Sequence, residues 1–443
     1  MSFKFIEKPV GTMRLLFYLR ESGPTNASVA LENFGPSRDG FYNAVERLRS
    51  LGYLYADRQP AFPARVLYAL TEKGEEVADR LRPLADLLKE TRLSMESELA
   101  SLDRDDKPET MARRIELLGL LADESFHGGE WDSAISHATR QLDLARQSGD
   151  SFNEIVALLT LGRLRQKRDE GDAADGHLKS AHDLAVRTDR FAFASDSSLL
   201  RGALTERRGE LESAGTLYDE ALHLAQIAND ETRMSLAQLA RGRLLGRRGR
   251  LDESYAILTE VVTTLERLRE TEELPRAYAN LGTTAFYLNR PEALDWYEKA
   301  IEAALRVGDV RIEAYGLSNA AAYLIEKREF RKAKTNLNRA RTIFENLGEK
   351  TMIGGVELNS ANLLAAQGKW RDAEHGFNRA LELAREAKNR FQEATALLNM
   401  GQMEKRRGRP EEAKDLLTRA RDLFRAIDSR DRARRCEEEL ASL

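Results

Sequence analysis

Four asparagines, Asn280, Asn319, Asn359 and Asn399, stand at intervals of 39, 40 and 40 residues. A carboxamide both donates and accepts, so a regular row of them suits successive peptide groups of an extended chain. Arg276, Tyr287, Tyr315, Asn362 and Gln402 stand within two helical turns of these positions and extend the same candidate binding surface. A second set lies near the N-terminus, where Ser37 precedes Arg38, Tyr42, Asn43 and Arg47. Arginine can bond guanine, and asparagine adenine, through paired hydrogen bonds, so these types suit reading base edges in double-stranded DNA. Arg58 and Arg65 flank the segment Gln59 to Ala64 and suit contact with phosphates.

Other chemistry finds little support. The six histidines (His127, His137, His177, His182, His223, His375) lack metal-ligand spacing, and the single cysteine, Cys436, has no histidine near it in sequence. No Walker loop, dinucleotide fingerprint or nucleophile elbow occurs, so neither an enzyme nor a cofactor is expected.

The elements that position these residues follow from composition and spacing. The chain has 443 residues, 42% apolar and 32% charged, with 69 Lys+Arg against 73 Asp+Glu, a net charge of −4. Bulk positive charge is therefore excluded as a route to nucleic acid, which leaves a local basic face. No apolar run approaches the ~18 residues of a membrane span and no secretory leader is evident, so a cytoplasmic location is expected. Seven of the 10 prolines fall in the first 108 residues and three in the remaining 335. The charged stretch Asp103 to Pro108 reads as the boundary between two differently built regions.

Beyond that boundary the chain repeats. Small residues recur at Ala134, Ala174, Ala214, Ser254, Ala293, Ala333, Ala373 and Ala413, 40 residues apart except for one interval of 39. Eleven or twelve residues earlier lies a second small residue: Ala122, Gly162, Gly202, Gly242, Gly282, Ala321, Ala361 and Gly401. Four residues after the first set comes a larger side chain, Leu178, Tyr218, Leu258, Tyr297, Leu337, Phe377 or Leu417, with Ala138 as the exception. This spacing lays the positions on facing stripes of two antiparallel helices, the small ones allowing close approach.

The pattern resembles the tetratricopeptide repeat (TPR) over about residues 109–430, as eight repeats, with residues 431–443 as a capping helix. Its 40-residue period is similar to the longer repeats of kinesin light chain and of bacterial peptide-pheromone receptors. The resemblance implies a superhelix whose first helices line a groove. It also implies that Asn280, Asn319, Asn359 and Asn399 face that groove and pair with the backbone of a bound peptide or protein segment. The alternative is that these amides only bridge adjacent repeats. In the first half the same face carries Arg163, Lys167, Arg207, Arg243 and Arg247, a basic stripe or an ordinary solvated face.

Residues 1–90 read differently. A helix is expected over Thr12 to Ser22, a short one over Asn26 to Phe34, and a third over Arg38 to Leu51 that buries Phe41, Ala44, Val45 and Leu48. Tyr53 to Arg58 and Arg65 to Leu70 alternate like two strands of a hairpin, and Thr71-Glu72-Lys73-Gly74 opens another helix. The stretches ERLRSLGYL and LYALTEKGEEVA resemble prokaryotic winged helix-turn-helix regulators of the broad MarR/ArsR-like class. That resemblance implies DNA binding, with Ser37, Arg38, Tyr42, Asn43 and Arg47 in the major groove and Arg58 and Arg65 on the wing. Residues 1–70 hold nine Lys+Arg and six Asp+Glu, a modest basic bias in which Asp39 and Glu46 sit near the reading face.

Residues 91–108 join the regions. Pro83 is expected to kink or restart the helix, and Leu81, Leu88, Met95 and Leu102 recur every seven residues, a seam that would pair two chains or pack on the first repeat. The expected fold is mostly α, a small α+β winged helix followed by an α-solenoid. The expected function is a transcriptional regulator whose repeats sense a protein or peptide. The alternative is an adaptor in which both modules bind protein.

Overall fold

The structure, a computed structural model, describes residues 12–27, 29–30, 38–59, 65–102, 107–127, 130–168, 170–347, 349–387, 389–427 and 429–443. It is mostly α-helical, with one small sheet near the N-terminus and helical hairpins from residue 108 onward. Packing groups the chain into two units, Met1–Ala237 and Gln238–Leu443.

In the first unit, a helix over Thr12–Ser22 precedes strand β1 (Thr25–Asn26), a helix over Arg38–Ser50, the hairpin strands β2 (Leu54–Gln59) and β3 (Arg65–Leu70), and a long helix, Glu72–Leu102. The sheet order is β1-β3-β2, all antiparallel, with Leu54 opposite Leu70 and Gln59 opposite Arg65. The expected helix and hairpin are present, and Phe41, Ala44, Val45 and Leu48 are buried as the spacing requires. They pack with Leu15, Leu16 and Leu19 of the first helix and with Leu54 and Tyr68 of the sheet. Gly52, at φ +74°, ends the Arg38–Ser50 helix in the left-handed conformation that favours glycine. Strand β1 is an element the sequence reading lacks, because two residues carry no alternation to detect. Most of the expected helix over Asn26 to Phe34 lies outside the described residues, as does Ser37; Asn26 accepts from the Val29 N–H at 3.0 Å, a cap at its start.

In the joining segment the expected restart at Pro83 is corrected, and the seam takes the second of its two alternatives, packing on the first repeat. Pro83 does not interrupt the helix, which runs through it from Glu72 to Leu102, since a proline removes a single ladder hydrogen bond. The seven-residue seam is not free for a partner along its length. Met95 and Leu102 pack on Leu99, Leu117, Leu118 and Leu121, against the first repeat, and Leu81 packs on the N-terminal core. Arg92 fixes the same contact through Glu124 at 3.4 Å and Glu130 at 3.0 Å.

The repeats pair Pro108–His127 with Trp131–Ser148, Ser151–Lys167 with Gly171–Arg187, and Phe191–Arg207 with Leu211–Ile227; Glu231–Arg248 and Leu251–Arg267 are the helices of repeat 4. Repeats 5 to 8 pair Leu274–Tyr287 with Ala293–Val307, Val310–Glu326 with Phe330–Leu347, Lys350–Ala366 with Trp370–Glu386, and Arg390–Arg406 with Pro410–Ala426. A last helix covers Arg430–Ala441. All eight small residues from Ala134 to Ala413 are 0% exposed, which places the recurring position at the centre of each hairpin.

The two other recurring positions meet each other. A Cβ added to Gly162 would fall 2.5 Å from Leu178, one on Gly202 2.5 Å from Tyr218, and one on Gly401 2.7 Å from Leu417. The missing side chain on one helix is the space the large side chain of its partner fills. Burying each such side chain contributes about 1.5–3 kcal/mol. In repeat 1, where Ala138 takes the large position, buried Gln141 fills the hairpin instead, against Gly119. Repeat 5, the one a residue short, starts its second helix at Ala293 itself, whereas the other second helices start three residues before the small position.

Candidate functional site

The polar residues of the second unit converge on one cavity of about 950 Å³. Its walls are the first helices of repeats 5 to 8. Repeat 5 contributes Thr283 and Tyr287, repeat 6 Tyr315 and Asn319, repeat 7 Asn359 and Asn362, and repeat 8 Asn399, Gln402 and Arg406. Small residues inside the hairpins hold each helix close to its partner, so the polar stripe on the far side faces the cavity.

The asparagines are held before any ligand arrives. Asn319 Nδ2 donates to Thr283 Oγ1 at 3.3 Å, and Asn359 Nδ2 donates to the Ser318 carbonyl at 3.0 Å and to Ser318 Oγ at 3.1 Å. Each bond reaches the preceding repeat, so bridging of repeats occurs at both positions. Each amide keeps further hydrogen-bonding capacity, its carbonyl oxygen included, because a carboxamide offers two donors and a two-lone-pair acceptor. Thr283 is itself fixed, donating to the Ala279 carbonyl at 2.9 Å. Gln402 Nε2 donates to Glu439 Oε1 at 2.8 Å.

Two expected groove residues lie outside the cavity wall. Arg276 is exposed and ion-paired with Glu273 at 2.8 Å, on the same helix. Asn280 is half-buried, with Nδ2 out of solvent and lacking a hydrogen-bond partner among the described residues. In repeat 5 the wall begins with Thr283, one turn further along.

The last helix supplies what the sequence reading missed. Arg432, Arg435 and Glu439 line the cavity, and the Arg432 guanidinium lies 4.0 Å from the Tyr287 ring and 5.9 Å from the Phe391 ring. At the start of this helix Asp431 stands against Gly249, at φ +87°, where an added Cβ would fall 2.4 Å from the carboxylate. Glu326 is pushed above the usual carboxylate range by burial, with Arg435 and Lys327 acting in the opposite sense. The capping helix thus crosses from repeat 8 to the C-terminal ends of the first helices of repeats 4 to 6. Nothing in its local spacing signals this, because the contacts join residues about 110 to 180 positions apart.

At the N-terminal module, the structure places Arg38 and Asn43 on the helix Arg38–Ser50, and Arg58 and Arg65 on adjoining strands at the hairpin end. Tyr42 is half-buried, edge-on to Phe41 at 5.1 Å between ring centres. Arg47 is half-buried. Glu46 does not sit on an exposed face as its position suggested. It is 0% exposed and paired with Arg49 at 3.1 Å, so its charge is spent inside the module.

Among the described residues no group of histidine, cysteine and acidic side chains is arranged to hold a metal, and no helix is long and apolar enough to cross a membrane. Cys436 is buried, and burial pushes its thiol up to about 11.

The tetratricopeptide repeat family profile matches residues 353–426. No curated protein matches the chain. Among solved structures, the fold is similar to a Rap protein complexed with Competence and Sporulation Factor, at 13% identity and a TM-score of 0.51 over 76% of this chain and 98% of that one. It is similar also to the Rap conjugation gene regulator of the plasmid pLS20 in complex with the Phr* peptide, at 13% identity and a TM-score of 0.53 over 75% and 94%. A third is the apo form of RapI, at 12% identity and a TM-score of 0.51 over 62% and 98%. These likenesses establish a TPR-type helical repeat solenoid.

Proposed function

We propose that the chain is a DNA-binding transcriptional regulator whose repeat array takes an extended peptide or protein segment in its groove and thereby controls the N-terminal module. The observation that carries the ligand half is the convergence of Asn319, Asn359 and Asn399, one per repeat, on a single cavity. Such a row matches the repeating donors and acceptors of an extended backbone. Two of the similar folds were solved with a peptide or a named factor bound, which supports the same use of the groove here.

The DNA half rests on the module. A helix, a short strand, a further helix and a hairpin, with β3 between β1 and β2, is the order of a winged helix-turn-helix. In that reading Arg38–Ser50 is the recognition helix, and Arg58 and Arg65 reach phosphate or the minor groove from the wing. An adaptor in which both modules bind protein is favoured by one observation: Arg49, a cation of the proposed recognition helix, is engaged by buried Glu46 within the module instead of being left for a phosphate.

Selection of bound sequences from random duplexes separates the two. A regulator recovers a motif, and Arg38→Ala weakens binding to it by about 1–3 kcal/mol and relaxes one base position. Arg58→Ala or Arg65→Ala weakens all sequences alike and flattens the salt slope. No recovered motif together with no binding at low salt contradicts the regulator. Control through the groove predicts that a bound peptide changes DNA affinity roughly 5- to 150-fold.

A further inference from the structure

One second helix of the repeats differs from the rest in charge. That of repeat 6, Phe330–Leu347, holds five Lys or Arg against the single acid Glu345, whereas no other second helix holds more basic than acidic residues. The seven others each place an acidic side chain in the first turn, from Asp132 in repeat 1 to Glu411 in repeat 8, where it meets the positive end of the helix dipole. Phe330–Leu347 has none there and carries Arg331 and Lys332 instead, an arrangement that works against the helix. Three of its five cations are engaged: Lys332 by Glu329 at 2.6 Å, Arg339 by Glu313 at 3.3 Å and Arg341 by Glu357 at 2.7 Å. Among the described residues, exposed Arg331 and Lys334 have no carboxylate within 4.0 Å, and the exposed Asn338 amide has no hydrogen-bond partner. Spacings of three and four residues put these three side chains on one stripe about 10 Å long.

We propose that this stripe is a second contact surface for double-stranded DNA, made to the phosphate backbone without reading bases. Its unengaged groups are two cations and an amide donor, which match phosphate oxygens. No large apolar side chain is exposed along this helix, so the face lacks the apolar centre of a protein interface. Its two rings, Phe330 and Phe344, are half-buried and buried, so an unstacked base of a single strand has no platform there. In a chain of net charge −4, attraction to phosphate has to come from a local face, and Arg331 and Lys334 form one that intramolecular pairing leaves open. The contact extends the DNA reading above to the repeat array and does not rest on the recognition helix.

The test uses the full chain carrying Arg38→Gln, Arg58→Gln and Arg65→Gln, which removes candidate DNA-contacting cations of the N-terminal module. A labelled random-sequence duplex is followed by fluorescence anisotropy at low salt. Binding should persist in this background. Adding Arg331→Gln with Lys334→Gln should weaken it about 10-fold and lower the slope of log affinity against log salt by about 2. Those two changes should keep the helical circular dichroism and cost no thermal stability, since the charges they remove oppose the helix dipole. Lys414→Gln with Arg419→Gln, an equal change of charge on the second helix of repeat 8, should alter affinity less than about 2-fold. No duplex binding in the background chain, or an equal loss from both pairs of changes, overturns the proposal. Loss of the fold with Arg331→Gln and Lys334→Gln overturns it too, by making the side chains structural. So does binding of labelled poly-glutamate as tight as that of the duplex and lost in the same variant, which would assign the stripe to an acidic polypeptide. None of these results bears on the recognition helix, whose Arg38 is already replaced in the background chain.

Discussion

In repeats 2 and 3 the gaps at Gly162 and Gly202 receive Leu178 and Tyr218, and in repeats 5 and 8 those at Gly282 and Gly401 receive Tyr297 and Leu417 in the same way. The faces on the other side of the first helices differ. At the position that holds asparagine in repeats 5 to 8, repeats 1 to 3 carry Leu120, Thr160 and Leu200. Ion pairs between repeats do not mark the difference, since both halves have them: Arg168 with Asp132 and Arg208 with Asp172 at 2.6 Å in the first, and Arg407 with Glu374 at 3.3 Å in the second. The comparison separates two codes written on one helix. One set of positions builds the hairpin and is shared; another, a few residues away, is free to vary and decides whether the face binds anything.

If the packing code is shared, breaking it should cost the same in either half. Gly202→Leu and Gly401→Leu each force a side chain into space already held by Tyr218 or Leu417. Each should lower stability by about 1–3 kcal/mol or more in urea titration. A substitution at one site that leaves the denaturation midpoint unchanged would break the equivalence.

The next effect belongs to the first half. Burial holds His137 and His177 below the ordinary imidazole value of 6.5, helped by Arg140 and Arg92 for the first and by Arg165 and Arg146 for the second. The unfolded chain therefore takes up protons first as pH falls through about 6.5, and the folded state loses stability below it. Hydrogen exchange should show the helices of repeats 1 and 2 losing protection between pH 7 and pH 5. Unchanged protection there would contradict the burial of these rings.

A smaller readout sharpens the account of the last helix. With its thiol buried and raised to about 11, Cys436 should react with a disulfide reagent at pH 8 far more slowly than it does after denaturation. Equal rates would mean that the helix is not docked. The smallest effect concerns Leu120, 48% exposed at the ladder position of repeat 1. Leu120→Asn should change stability by no more than about 0.5 kcal/mol, since the site lies off the packing stripe. A large loss would show that the two codes are not separable.

How far the sequence reveals this architecture follows from the distance over which each contact acts. The repeat register is plain because Ala134 and its seven successors answer to a neighbour in the same hairpin, and every hairpin states the rule again. The helix burying Phe41, Val45 and Leu48 is plain for the same local reason. Strand β1 is not, being two residues that pair with β3 some 40 positions away. The continuity of the helix through Pro83 is not legible either, since local preference argues for a break. The cavity shows both limits at once. Asn319, Asn359 and Asn399 are found by period alone, while Arg432 and Arg435 reach it through a closure that no periodicity records. Arg276 and Asn280, one repeat earlier, follow the same period but do not line the cavity.

The central claim is that the asparagine row binds a ligand as well as bridging repeats. The direct measurement is capture of a pool of random-sequence hexapeptides, counted by mass spectrometry, by the full chain and by the variant carrying Asn319→Ala, Asn359→Ala and Asn399→Ala, with urea stability taken on both. The lost bridging bonds should cost about 0.5–1.5 kcal/mol each and leave the helical fold in place. The account predicts that capture falls to background in that folded variant. Undiminished capture, with only the stability loss, would contradict it and make the row a purely structural seam.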